Sequence, residues 1–198
     1  MPARHDLHGM VVHVTARILG LDPGFASFGW AVVQLGRRDV CLDAGVWRTK
    51  KSPKRCNVTS ASDMHRRGAI IAQSLMAVVA RYKPVVACAE ALSTGFPNTI
   101  TMIQLGRAWG ILDAMCVQHN MPIVEATPQD IKLATTGKRS ASKGEVMASI
   151  LELYPEVAPM FARIKAKTQL EHPSDALGAV VACDGSEVVR MARRMGAT

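Results

Sequence analysis

Residues 17–24 (RILGLDPG) constrain the fold more than any other stretch. Ile18, Leu19 and Leu21 form a short apolar run suited to a buried strand, and Asp22-Pro23-Gly24 ends it with turn residues. A carboxylate therefore stands where a core strand surfaces. Burying Asp22 alone would cost several kcal/mol, roughly, so the position calls for a hydrogen bond, a cation or a metal ion. Residues 29–36 (GWAVVQLG) read as a second strand turning back antiparallel, with Gly24 free to take backbone angles barred to other residues. The alternative is an ordinary hairpin with an exposed Asp in its turn.

Residues 40–49 have strand composition and complete a three-stranded meander, and a polar, basic connection broken by Pro53 follows. From Thr59 the spacing becomes helical through Met64, Ile71, Leu75, Val78 and Tyr82, until Pro84 ends it. Residues 85–91 (VVACAEA) then read as a buried strand with a second acid, Glu90, at its far end. A long helix is expected over residues 98–119, with close packing of another backbone as the reason for Gly106 and Gly110. Residues 122–127 suggest a fifth strand, and Thr127-Pro128 open a short helix through Lys132. Residues 137–144 (GKRSASKG) form a basic loop without large apolar residues, so Lys138, Arg139 and Lys143 either face solvent or meet phosphate. A helix over residues 143–154, a basic connection and one last helix over residues 172–195 complete the chain. The expected fold is α/β, a mixed five-stranded sheet of three antiparallel strands and then parallel additions, flanked by helices. Residues 1–16 read as a loosely attached leader, and residues 17–198 as a single domain.

The 198 residues carry a net charge of +8, which favours polyanionic partners, nucleic acid first among them, although many soluble proteins are basic. Five scattered cysteines form no CxxC pair, so a disulfide framework or zinc site is not indicated and a reducing cytoplasm fits best. No apolar run approaches the ~18 residues of a membrane span.

Asp22, Glu90, His172 and Asp175 are the candidate catalytic and metal-ligating residues. Adjacent strand ends and the first turn of a covering helix can bring them together. Oxygen-rich ligation suits Mg²⁺ or Mn²⁺, and two such ions can steady the attacking and leaving oxygens in phosphodiester hydrolysis. Taken singly, each has a plainer role: Asp175 as a first-turn acid favoured by the helix dipole, His172 as a cap, Glu90 in a surface ion pair.

The segments ILGLDPG, AEA, QLGRAWG, PQDIK, TTGKRSASKGEV and HPSDALGAVVA, in this order and spacing, resemble the RuvC family of Holliday-junction resolvases over nearly the whole chain. The resemblance implies a ribonuclease H-like fold, a homodimer, divalent metal, and paired symmetric nicks across a four-way DNA junction. By position it assigns Asp22, Glu90, His172 and Asp175 to the metal-binding catalytic set, with His172 where relatives have an acid or a His. It places Lys132 and Lys143 near the scissile DNA and the helix over residues 98–119 at the dimer contact. A branch-migration motor is a further possible partner, which the sequence does not indicate. Three departures stand out. Ser93 replaces a usual aromatic, so that either Phe96 substitutes for it in stacking on DNA bases or that role is lost; Trp109 stands where Arg is usual; and the 157–171 connection is long. The readings in competition are a flap, fork or RNA nuclease, a non-catalytic branched-DNA-binding protein, and an actin-like ATPase sharing the strand-Asp-x-Gly motif.

Overall fold

Along a strand, side chains alternate between the two faces of the sheet, and this alternation decides which way each acid points. In strand β1 (Arg17–Asp22), Leu19 and Leu21 pack on one side with Phe28, Val32, Ala87 and Ala89. Ile18 joins the opposite cluster with Ala31, Val33 and Cys88. Asp22 has the parity of Ile18 and Gly20, and Glu90 that of Cys88, so both acids lie on this second face. The computed structural model describes residues 15–92 and 98–196. Phe96 and Ser93 lie outside them, as does nearly all of the expected leader, although Ala16 is buried and its carbonyl accepts from the Leu35 N–H at 2.9 Å.

The five strands are ordered β3-β2-β1-β4-β5. β2 (Ser27–Gln34) runs antiparallel to β1, β3 (Val40–Arg48) antiparallel to β2, β4 (Val86–Glu90) parallel to β1, and β5 (Ile123–Ala126) parallel to β4. Leu21 pairs with Ala89, so Asp22 and Glu90 emerge side by side where β1 and β4 end.

Helices α1 (Ser60–Tyr82) and α2 (Thr99–Gln118) cover the Leu19/Leu21 face, burying Ile71, Leu75 and Leu112. The other face is covered by α3 (Pro128–Thr136), α4 (Lys143–Leu153), α5 (Ala158–Phe161), α6 (Glu171–Cys183) and α7 (Glu187–Met195), the last burying Val189 and Ala192 in the same core. α6 lies across β1 and β2 with almost no separation, because Gly20 and Gly29 present no side chain. A Cβ at Gly20 would overlap the Ala176 carbonyl, and one at Gly29 the His172 carbonyl.

The architecture agrees with the sequence reading in strand count, pairing sense and helix order, and departs from it in detail. The last helix is two: α6 stops at Cys183, and Ser186 caps α7 by accepting from the Val189 N–H, so Met191 is exposed rather than buried. α3 continues to Thr136, four residues beyond the expected end, before the left-handed cap Gly137. The 137–144 loop does contribute to the core through Ala141, and the 155–170 connection buries Val157 and Phe161. Gly24 does not have positive φ; a Cβ there would overlap the Ser27 carbonyl, so space explains it. Gly106 and Gly110 meet nothing within 4 Å among the described residues, so no intrachain backbone accounts for them.

Candidate active site

Asp22, Glu90 and Asp175 offer carboxylate oxygens that all lie within 4.8 Å of one another. Two of the acids come from neighbouring strand ends. The third is carried in by α6, whose Ala176 rests on Gly20 and thereby fixes Asp175 above the end of β1. His172, one turn earlier, donates from Nδ1 to Asp22 Oδ2 at 2.6 Å across 150 residues of sequence. The four candidates therefore do meet, but in two roles: three acids form the cluster, and His172 holds one of them. His172 is no helix cap, since Leu170 occupies that position.

Packing three carboxylates this closely raises the cost of charging them. Burial first, then the charges of Asp22 and Asp175, push the Glu90 carboxyl up to about 8. Burial and then Asp22 raise Asp175 to about 6. For His172, burial works to lower the pKa, but the bond to Asp22 and that carboxylate's charge outweigh it, and the ring binds its proton more tightly than a free imidazole.

Glu171 was not singled out in the sequence, yet it adds to the negative field. Its Oε2 accepts from Lys143 Nζ at 2.6 Å, and its Oε1 lies 3.9 Å from His172 Nε2. The only hint in the sequence is its adjacency to His172, and its partner Lys143 is 28 residues away. Lys143 is thereby held beside the cluster. Burial works to lower its pKa, the Glu171 bond and the nearby acids raise it, and the net shift is upward.

The remaining basic candidates make no ion pair with the clustered acids among the described residues. Lys132 lies on α3, Lys138 is exposed, and Arg139 pairs with Asp130 at 3.3 Å. Trp109 is buried between α2 and the sheet, which makes it a core residue here. Among the described residues no helix is long and apolar enough to cross a membrane.

The donor set suits a hard divalent cation. All three clustered groups offer oxygen, and a cation placed among them would offset the burial and then the mutual repulsion that hold Glu90 and Asp175 protonated above the usual carboxylate range. No lysine or arginine bonds to these carboxylates among the described residues, so the cluster is not the centre of an ordinary ion-pair network.

Sheet order and acid-bearing strand ends place the chain in the ribonuclease H-like class. Its fold is similar to that of Thermus thermophilus RuvC, with TM-score 0.64 and 20% identity over 84% of this chain and 92% of the other. It is also similar to the yeast mitochondrial Holliday junction resolvase, with TM-score 0.58 and 13% identity over 92% and 86%. Residues 18–183 match the family described as crossover junction endodeoxyribonuclease RuvC. The RuvC of Rickettsia akari is 32% identical over 140 residues, covering 70% of this chain and 82% of that protein. The RuvC of Synechococcus sp. is 34% identical over 146 residues, covering 72% and 87%. The chain belongs to the RuvC family and is an endodeoxyribonuclease of the crossover junction type.

Proposed function

We propose that this protein is a metal-dependent nuclease that resolves four-way DNA junctions as a homodimer, making paired symmetric nicks. The observation that carries the reading is the cluster of three carboxylates within 4.8 Å, assembled from residues as far apart as Asp22 and Asp175 and bonded, among the described residues, to no lysine or arginine. Such an arrangement is costly to keep, and a substrate-binding cation repays it.

Asp22, Glu90 and Asp175 would hold one or two Mg²⁺ ions, with Mn²⁺ as a substitute. Bound there, the ions supply charge stabilisation for the attacking and leaving oxygens of the phosphodiester. His172 orients Asp22 through Nδ1 and leaves Nε2 as a further donor to the site. Lys143, steered by Glu171, offers a positive charge to the phosphate's non-bridging oxygens. Lys132, Lys138 and Arg139 bind flanking backbone, Arg139 exchanging Asp130 for phosphate. Phe96 is assigned the base-stacking role by its place in the chain alone. The dimer contact is assigned to α2, where Ile103, Gly106, Gly110 and Val117 follow one another along one exposed side. A cytoplasmic enzyme with access to branched DNA fits this assignment.

The test is cleavage of a fixed four-way junction beside an equal-length duplex in Mg²⁺. The parent protein should cut the junction symmetrically and spare the duplex. Asp22→Asn should still bind the junction but lose at least about a thousandfold in cleavage rate, the several kcal/mol that ion positioning supplies. Cleavage by Asp22→Asn at the parent rate, or equal cutting of flaps, forks and duplex, would overturn the assignment.

A further inference from the structure

On the α1/α2 side of the molecule, a cleft of about 270 Å³ opens between the connection after β3 and the first turns of α1 and α2. Its innermost charged group is Arg67, whose residue surface is only 3% exposed. Arg67 Nε donates to Thr49 Oγ1 at 2.9 Å, and the guanidinium lies 4.6 Å from the centre of the Phe25 ring. Its two Nη groups have no hydrogen-bond or ion-pair partner among the described residues. These Nη groups are not among the buried polar atoms left without a partner, so they open toward the cleft, and the charge they carry calls for an anion there.

The cleft's rim matches that need. Lys51 and Lys54 line it and are exposed, and Ser52 and Ser60 add short polar side chains. One acid lines it, Asp63, and it is already engaged: its Oδ1 accepts from the Ser52 N–H at 2.9 Å, Ser52 Oγ at 2.7 Å and Arg66 Nη2 at 2.7 Å. Three cations thus face one neutralised carboxylate at the amino end of a 23-residue helix, where the backbone dipole also favours an anion. The planar donor fork of an arginine matches phosphate oxygens in particular.

Position gives the cleft its use. Gln104 lines both this cleft and the adjoining depression that contains Gly24, Phe25 and His172, so the two form one path along the start of α2 to the acidic cluster. Arg67 is also joined to the turn after Asp22: its partner Thr49 donates from Oγ1 to the Phe25 carbonyl at 2.6 Å. We propose that this cleft is a phosphate-binding subsite, anchored by Arg67 with Lys51 and Lys54, that grips the DNA backbone at a fixed distance from the acidic cluster. It deepens the nuclease reading above and rests on it for the identity of the phosphate's carrier.

Two measurements test the subsite. The first is the salt dependence of junction binding in the Asp22→Asn background. Each lost phosphate contact lowers the slope of log K against log salt by about 1. Lys51→Ala/Lys54→Ala and Arg67→Gln should each reduce it by about 1 to 2 and weaken binding about tenfold or more, whereas Lys83→Ala, at the far end of α1, should not. The second uses inorganic phosphate and ¹⁵N-arginine-labelled protein: the Arg67 Nε–H resonance should shift on titration, and the lysine double variant should weaken that shift. Should Arg67→Gln fail to fold, the lysine pair decides, since neither side chain is buried. Unchanged salt slopes together with an unmoved Arg67 resonance overturn the subsite. A phosphate-induced shift in a protein that cuts no branched DNA would uphold the subsite and refute the nuclease reading.

Discussion

Glu90 holds its proton up to about 8 in the folded chain against 4.5 when free, so between those values the native state binds more protons than the unfolded one. Stability of the metal-free protein must then fall as pH rises through that window and level off above it. Asp175, raised to about 6 from 3.8, acts in the same direction lower down. His172, with its raised pKa, gives stability that is complete in acid and lost as pH climbs through its folded value. We expect the metal-free protein to lose on the order of 2 to 4 kcal/mol between pH 5 and 8 in urea melts, and Glu90→Gln to flatten most of that slope. Mg²⁺ should restore stability more at pH 8 than at pH 5, because protons and cations compete for the same oxygens. Equal pH slopes for parent and Glu90→Gln would refute the crowding of charge at this site. Cleavage should fall in mild acid for the same reason. In the folded protein Glu90, at about 8, and Asp175, at about 6, titrate through that range. The acids themselves were legible, since each ends a strand or opens a helix. Their shifted ionisation was not, because its first cause is burial and its second the charge of acids on other elements, Asp22 acting on both Glu90 and Asp175.

At the scale of elements, the site depends on how closely α6 can settle on β1 and β2. Gly29→Ala would drive a methyl into the His172 carbonyl and lift the amino end of the helix. We expect about 1 to 3 kcal/mol of lost stability in chemical denaturation, with a loss of cleavage exceeding what the unfolded fraction explains. Full activity in a stable Gly29→Ala protein would show that α6 need not lie where it does. Neither contact could be seen beforehand, because a glycine in a strand says that space is needed without naming what fills it. The strands and helix starts were readable from alternation, Pro84, and the Thr127-Pro128 cap. The break between α6 and α7 was missed for a local reason: the apolar spacing continues through Val188, while the break rests on the short turn at Asp184-Gly185 and on Ser186, which accepts from the Val189 N–H to start the next helix.

For the molecule as a whole, the described residues hold one acidic cluster that could take a metal, and the proposed paired nicks then set a stoichiometric problem. Two nicks placed symmetrically on a junction need two clusters, and a two-fold dimer is the simplest way to supply them. α2 offers the surface. Val117 is 79% exposed and Ile103 47%, and between them Gly106 and Gly110 leave a flat strip that a second helix can approach closely. Two exposed glycines within a helix cost about 1 kcal/mol each relative to Ala, a cost with no return in an isolated chain. Gly110→Arg would fill the strip with a charged side chain that an isolated chain accommodates, since among the described residues nothing stands within 4 Å of where a Cβ would lie. The parent is expected to sediment as a dimer at micromolar concentration and the variant as a monomer with an unchanged circular dichroism spectrum. Junctions given to the monomer should then be nicked on one strand at a time, so that nicked intermediates accumulate instead of linear duplex products. A parent protein that sediments as a monomer while still releasing paired products would refute the α2 contact, and so would a Gly110→Arg variant that remains dimeric.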